Sequence, residues 1–432
     1  MGGLTELLGL SWPQLAGLAA IAVFTLCVWR RYFSPISDIP GPFVASFTRA
    51  WHIHRILKGD QNLELIRLHE KHGHFVRIAP DEVSISHPDA VRKVLQASLH
   101  KGFWYKVIAF PDGRFQNPMS ATDPAVKNEL SRHLAPAYTL TNLIQSENSI
   151  GETIDLLCGW LDKFSTSRDP VDLDKFFTFT TSDVIGETIF SKQFGFLREG
   201  YDIDNTIANA HPQAAYVSIA GFFRWLHVAL LSNRFITYLG VTPWGHLIDT
   251  AMAAIRERKA NPDARFDALA HWMRMLREHP DRMEEHEIHS AAFNAVAAGN
   301  ETVATALQAF VYYMIRHPDA WARARAEIDA AKVSNVGGRV VSFADAQKLP
   351  YLQACIKEAL RVFGPASMGL PRVAPEGGLE IGGRRIPAGM IVSVNVWVIQ
   401  RSKEIWGEDA DVFRPERWLE GDAARLEKWQ GA

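Results

Sequence analysis

The sequence predicts a mainly α-helical protein with a minor β region, carried behind an N-terminal transmembrane helix. Three observations lead there. Residues 7–29 hold no charged side chain, and Arg30 and Arg31 follow at once. From about residue 88 to residue 317, apolar residues recur at helical spacing over long stretches. Strand-like alternation with Gly and Pro turns is confined to two short segments, residues 75–86 and 379–399. The chain has 432 residues, a formal charge of −2 and no basic run, which argues against nucleic acid as a partner. Its three cysteines, Cys27, Cys158 and Cys355, lie far apart in apolar or helical contexts. They form neither a disulfide framework nor a zinc cluster, and they suit a reducing compartment.

The first element is the apolar helix. Pro13 suits a first helical turn, and residues 13–29 would span about 26 Å, near the core thickness of the endoplasmic-reticulum bilayer. Trp12 and Trp29 would sit at the two interfaces, and the arginines would keep the following chain in the cytosol. A cleavable signal peptide needs a basic start and a small-residue cleavage site, and "MGGLTE" and "VWRRYF" supply neither. Glu6 departs from the myristoylation pattern. The expected organisation is a signal anchor at 1–31, a proline-rich hinge at 32–44 and one main domain at 45–432. The hinge reads "SPISDIPGPF", too proline-rich for helix or central strand.

Residues 62–73 predict a helix capped by Gly73, and residues 75–86 a hairpin around Pro80-Asp81, with Pro88 opening the next helix. "GFFRWLHVALL", residues 221–231, is expected as a core helix, with a lid that dips into the bilayer as the rival reading. Residues 379–399 predict strand, Gly-Gly turn, strand, Pro-Ala-Gly turn, strand.

One helix is expected from Glu284 to Ile315, roughly 45 Å long, and it must cross the whole domain. Its centre, "AAGNET", is poor helix sequence. Gly299 lets something flat approach the backbone, and Thr302 can bond back to the carbonyl four residues earlier. Glu301 offers a carboxyl that could pass protons. A small-residue packing notch with Glu301 on the outer face is the alternative. In "KEALRVF", Glu358 and Arg361 share one helix face, and Arg417 in "DVFRPERWL" could complete a three-way bridge. Taken singly, these read as an ordinary surface pair and a solvated loop. "HEIH" at His286–His289 has its histidines three apart and no evident third ligand, so it reads as a solvated helix start rather than a zinc site.

In combination these segments resemble the microsomal cytochrome P450 family. "AAGNET" is similar to its oxygen-activating helix motif, "EALR" to its Glu-x-x-Arg, "FRPERW" to its Pro-Glu-Arg-Phe-type motif and "DIPGP" to its hinge. Residues 386–420 and "KGFWYKVIAF" resemble fungal members of the pisatin-demethylase-like kind. The resemblance runs from the anchor to about Leu419. It implies a haem-thiolate monooxygenase of fungal secondary metabolism with haem b, oxidising a lipophilic small molecule. Electrons would come from an NADPH-cytochrome P450 reductase, at the endoplasmic-reticulum membrane, with a single span and the main domain in the cytosol. It implies that Gly299 gives the porphyrin and O₂ room, that Thr302 holds the bound oxygen and its water, and that Glu301 feeds protons. Arg372 in "LPRVAP" matches a propionate position, and Arg132 stands one step from another. Glu358, Arg361 and Arg417 would form the family's structural triad.

The departures are specific. The family's Phe-x-x-Gly-x-Arg-x-Cys-x-Gly segment, which carries the axial thiolate, is not among these residues, so the sequence supplies no metal ligand and reads as truncated before that loop. Lys127, Ser131 and Gln400 stand where the family has other propionate partners. A membrane-anchored pseudoenzyme that binds a ligand or partner is the second reading, and poor stability of this chain alone is expected. Phe222, Phe223, Trp225 and "ASMGL" are apolar candidates for the substrate pocket and leave the substrate open.

Overall fold

The computed structural model describes residues 11–109, 112–230, 232–238, 246–261, 267–331, 335–336 and 340–420. Residues 7–10 of the uncharged run, Phe110 and Leu231 of the quoted segments, and residues 421–432 lie outside them. The architecture is mainly helical with small sheets, as the sequence predicts. The chain divides into two compact units: Met1–His100 with Ser367–Ile405, and Lys101–Ala366 with Trp406–Gly431.

The first unit opens with α1 (Trp12–Tyr32). Ser11 caps it, and Gln14 accepts the Ser11 amide at 2.9 Å, a reciprocal cap. None of its residues is buried, and its most apolar window has a mean hydropathy of 1.6. The hinge that follows lies against the first strand. The Arg77 amide donates to Pro40 O at 2.8 Å, and any Cβ at Gly41 would overlap Arg77 O. The buried Arg77 guanidinium donates to Arg30 O at 2.9 Å and to Pro80 O at 2.8 Å, fastening the end of α1 to the hairpin.

Helices α2 (Ala50–Lys58) and α3 (Gln61–His72) follow, with Gly73 closing α3 at φ +82°. Strands β1 (Phe75–Ala79) and β2 (Glu82–Ile85) form the expected antiparallel hairpin. Near the other end of the chain come β3 (Leu370–Val373), β4 (Leu379–Ile381), β5 (Arg384–Ile386) and β6 (Ile391–Val394). The β4–β5 turn is Gly382-Gly383, both at positive φ, as a two-residue hairpin requires. The main sheet has the order β1-β2-β6-β3. Its β2–β6 pair is parallel, with Val83 opposite Val392 and Ser84 opposite Ser393. Strand β6 of the second strand-rich stretch thus joins the hairpin of the first in one sheet, while β4 and β5 form a separate two-stranded sheet.

The second unit is helical: α4 (Pro124–Leu134), α5 (Glu147–Ser167), α6 (Leu173–Phe190), α7 (Thr206–Ala220), α8 (Arg224–Leu230), α9 (His246–Ala260), α10 (Ala268–Glu278), α11 (Glu285–Arg316), α12 (Pro318–Ala330), α13 (Pro350–Val362) and α14 (Arg417–Glu420). α11 has 32 residues and lies within one residue of its expected bounds. It packs along α6, which is buried nearly all round, in a core of Phe176, Phe179, Phe196, Trp272, Ile288 and Val296. A second cluster joins Met314, Tyr351, Cys355, Val362 and Phe413 around α13.

The segment at 221–231 is not a core helix. It breaks into a 3-10 turn at Gly221–Phe223 and the short α8, and Trp225 is 74% exposed. The reason is how it packs. Gly221 makes room for the Trp104 ring, whose Nε1 donates to Ser218 O at 2.9 Å. His227 is buried, while Phe223, Leu226 and Val228 stay exposed. Helical periodicity reports a buried face but not which stretch of a chain supplies the cover. The histidines of "HEIH" pair with acids of the same helix start, His286 with Glu284 at 3.1 Å and His289 with Glu285 at 3.4 Å.

Candidate active site

The middle of α11 is a continuous helix whose backbone is tapped by side chains from three sides. Thr302 Oγ1 donates to Ala298 O at 2.8 Å, Thr181 Oγ1 of α6 donates to Asn300 O at 2.7 Å, and the Glu301 amide donates to Asn300 Oδ1 at 2.7 Å. Side-chain bonds of this kind loosen the i to i−4 ladder without breaking the helix. Ala297, Ala298, Thr302 and Val303 are exposed, although the same helix buries Val296, Asn300 and Ala304 on its other side. Beside that open strip, Glu301 Oε1 is buried and has no hydrogen-bond partner among the described residues. Asp60 Oδ1 and Gln61 Oε1 are buried without a partner among those residues too, so what distinguishes Glu301 is its place beside the open strip.

Gly299 acts differently from the expectation that it opens space for a cofactor. A Cβ there would overlap Ile185 Cδ1, so its missing side chain is filled by α6. The small residues on the open strip are Ala297 and Ala298. Gly299→Ala is expected to add about 1 kcal/mol of helix propensity and to lose about 1–3 kcal/mol by overpacking. Ile185→Val removes the offending methyl. A double-mutant cycle by urea unfolding should show a favourable coupling of about 1 kcal/mol, and strict additivity would contradict this packing.

Glu358, Arg361 and Arg417 are brought together at the junction of α13 and α14. Arg361 Nη2 donates to Glu358 Oε1 at 2.8 Å and Arg417 Nε to the same oxygen at 2.9 Å, with all three side chains buried. Trp418 Nε1 and the Arg414 amide complete the carboxylate's shell, each at 2.9 Å. The arginines also hold the approaching loop. Arg361 donates to Ala410 O at 2.6 Å and to Val412 O at 3.0 Å, and Arg417 to Trp406 O at 3.2 Å and to Asp409 O at 3.0 Å. Burial alone would push the Glu358 carboxyl up. The bonds and charge of Arg361, the Arg414 amide and Arg417 outweigh that and hold it below the usual carboxylate range. The Trp418 and Asp409 contacts were not singled out from sequence, and the aromatic beside the motif's arginine was the available signal.

Arg372 lies on β3 opposite Val392, half-buried, donating to its neighbour's carbonyl, Pro371 O, at 3.0 Å. Arg132 lies on the exposed side of α4 and pairs with Glu129 at 2.9 Å. An exposed pair of this kind contributes about 0–1 kcal/mol and is easily exchanged. For a flat haem, the open strip of small residues with Glu301 and Thr302 fits the oxygen-binding side. The cysteines do not fit the opposite side. Cys355 is fully buried, and burial first, then the carboxylates of Glu416 and Glu327, push its thiol up to about 12. It is a neutral thiol packed in the α13 cluster, not a thiolate donor. Cys27 sits on α1 and Cys158 on α5, both half-buried.

A family model described as Cytochrome P450 matches residues 40–429. The chain is 29% identical over 423 residues to "Cytochrome P450 monooxygenase gsfF" of Penicillium aethiopicum, covering 94% of this chain and 84% of that protein. It is 30% identical over 414 residues to "Cytochrome P450 monooxygenase cicH" of Emericella nidulans, covering 92% and 83%. It is 30% identical over 424 residues to a "Pisatin demethylase" of Fusarium vanettenii, covering 95% and 82%.

Proposed function

The chain belongs to the cytochrome P450 family and is a monooxygenase by that membership, and from this premise we propose that it oxidises a lipophilic intermediate of fungal secondary metabolism, using haem b and electrons from an NADPH-dependent reductase. The observation that carries the reading is the open turn of α11, where the orphaned Glu301 Oε1 adjoins the exposed Thr302. When bound, haem supplies the redox centre that activates dioxygen for insertion of one oxygen atom.

The chain's own residues do the rest. The Thr302 hydroxyl would orient a water over the strip. Glu301 shuttles protons to it from solvent, since its free oxygen has hydrogen-bonding capacity that no group among the described residues uses. Arg372 takes a propionate, and Arg132 exchanges Glu129 for the other. Gly299 acts through Ile185, setting how closely α6 holds the turn. Glu358, Arg361 and Arg417 fix the loop at 406–412 rather than touching substrate. Metal ligation by Cys27, Cys158 or Cys355 is not part of the reading.

The test is isotopic. Protein expressed from its full transcript, supplied with reductase and NADPH under ¹⁸O₂, is expected to place one labelled atom in a lipophilic product. Products that carry label only from water would refute it.

The placement is a signal anchor at 1–31, a hinge at 32–44 and a catalytic domain from 45, held at the endoplasmic-reticulum membrane. α1 is long and apolar enough to span, and the exposed Phe223, Trp225 and Leu226 suit a second contact with lipid. A variant beginning at Trp29 loses no buried residue of α1 and keeps the Arg30 carbonyl that holds Arg77. It is expected to keep its thermal midpoint within about 2 °C and to leave the membrane pellet in high salt. Retention in the pellet would assign the anchoring to the α8 face instead.

A further inference from the structure

A pocket of about 270 Å³ in the second unit is lined by Lys106, Gln116, Ser120, Thr122, Arg224 and His227 among others. Its wall is built rather than accidental. Trp104 is seated on Gly221, and Phe103 meets Phe222 edge to face, so the turn at Phe103–Ile108 is locked to the start of α8. On the other side, Asn117 Nδ2 donates to Ser290 Oγ of α11 at 3.2 Å, and Ser290 Oγ donates to Phe115 O at 2.7 Å. The pocket's segment is thereby tied to the N-terminal half of α11, about 18 Å along the helix axis from Thr302.

Among the described residues the lining carries two cations against one carboxylate. Lys106 and Arg224 are exposed, and neither side chain has an ion pair or hydrogen bond among the described residues. That carboxylate, Asp123, is turned to the first turn of α4 as its cap, accepting the Ala125 amide at 2.8 Å while keeping its charge. Burial moves the His227 imidazole toward its neutral form, and it shares a 2.8 Å hydrogen bond with Tyr216 Oη. Two uncommitted cations over hydroxyl and amide groups form a receptor for a carboxylate.

We propose that this pocket takes the carboxylate end of an elongated lipophilic acid, held by Lys106 and Arg224 with its apolar body directed away from them. The proposal deepens the monooxygenase reading and rests on it, because it names the class of substrate. A membrane-surface role for the two cations is the competing explanation. It is disfavoured by the polar, concave wall of Gln116, Ser120 and Thr122, which a flat headgroup layer would not fill.

The experiment measures equilibrium binding to the full chain in neutral phosphatidylcholine nanodiscs, by calorimetry against empty discs. The probes are dodecanoate, methyl dodecanoate and dodecan-1-amine. Dodecanoate is expected to bind at least tenfold more tightly than the ester, with the amine weakest. Lys106→Gln with Arg224→Gln should abolish the acid preference without moving the thermal midpoint, and Arg224→Lys should keep most of it. Equal binding of acid and ester, or an acid preference that survives the double substitution, would overturn the proposal. So would a double variant that keeps the acid preference and loses only binding to phosphatidylserine vesicles, which would assign the cations to the membrane. The two readings separate cleanly. Acid-selective binding without oxidised product refutes monooxygenase action but not the pocket, and oxidation of neutral lipophiles without acid preference does the reverse.

Discussion

Glu358→Ala is expected to cost about 3–5 kcal/mol and to leave little folded protein, because it strands the buried Arg361 without its counter-charge and leaves the buried Arg417 only Asp409. Against a typical domain stability of about 5–15 kcal/mol, that is a large fraction. Replacing a buried ion cluster wholesale with apolar residues is often neutral, but here the outcome should differ. The same guanidiniums bond the carbonyls of Trp406, Asp409, Ala410 and Val412, and a triple methionine variant would remove all of these bonds, leaving Asp409 O only the Val412 amide. The triple variant is therefore expected to unfold at no higher urea concentration than Glu358→Ala. A more stable triple variant would show that the loop at 406–412 does not depend on the arginines.

The same carboxylate sets an acid limit. Its folded-state pKa lies below the ordinary 4.5, so its stabilisation is complete above about pH 4.5 and is lost as the pH falls through the folded value. Stability should fall with acidification in that window. Glu358→Gln should start lower and fall less steeply, as read from urea midpoints at stepped pH.

Thr302→Ala and Glu301→Gln carry the second large effect, and it is functional rather than structural. Thr302 is exposed and bonds only within its own turn, and alanine is the better helix former, so the fold should change by no more than about 0.5 kcal/mol. Product formation should fall by roughly 10²-fold for either variant, within the range for loss of a positioned proton donor. Thr302→Ser keeps the hydroxyl and should keep most of the rate. A Thr302→Ala enzyme that turns over normally would make the opened turn a packing feature.

Local signals in the sequence carried far. The apolar helix closed by Arg30 and Arg31, the capped helix ending at Gly73 and both hairpins lie where residue chemistry puts them. α11 could be placed within a residue because its caps and the Pro318 stop are local. What could not be read is non-local. The parallel pairing of β2 with β6 joins residues about three hundred positions apart, and no periodicity encodes it. The exposure of Trp225 depends on Trp104 occupying Gly221. Gly299 showed that a side chain was unwanted but not that Ile185 was the reason. In the buried triad, spacing gave Glu358 and Arg361, whereas Trp418 and the carbonyls of residues 406–412 became visible only once the loop was folded over them.

The claim at the centre is that Glu301 and Thr302 deliver protons to dioxygen over α11. The most direct test is the ratio of product formed to NADPH consumed, in the full-length enzyme and in Glu301→Gln, with peroxide measured in the same reactions. If the account holds, the variant consumes NADPH at a comparable rate while product per NADPH falls by roughly 10²-fold and peroxide rises to match. An unchanged ratio in Glu301→Gln would contradict it, and the unpartnered carboxylate oxygen would then have no part in the oxygen chemistry.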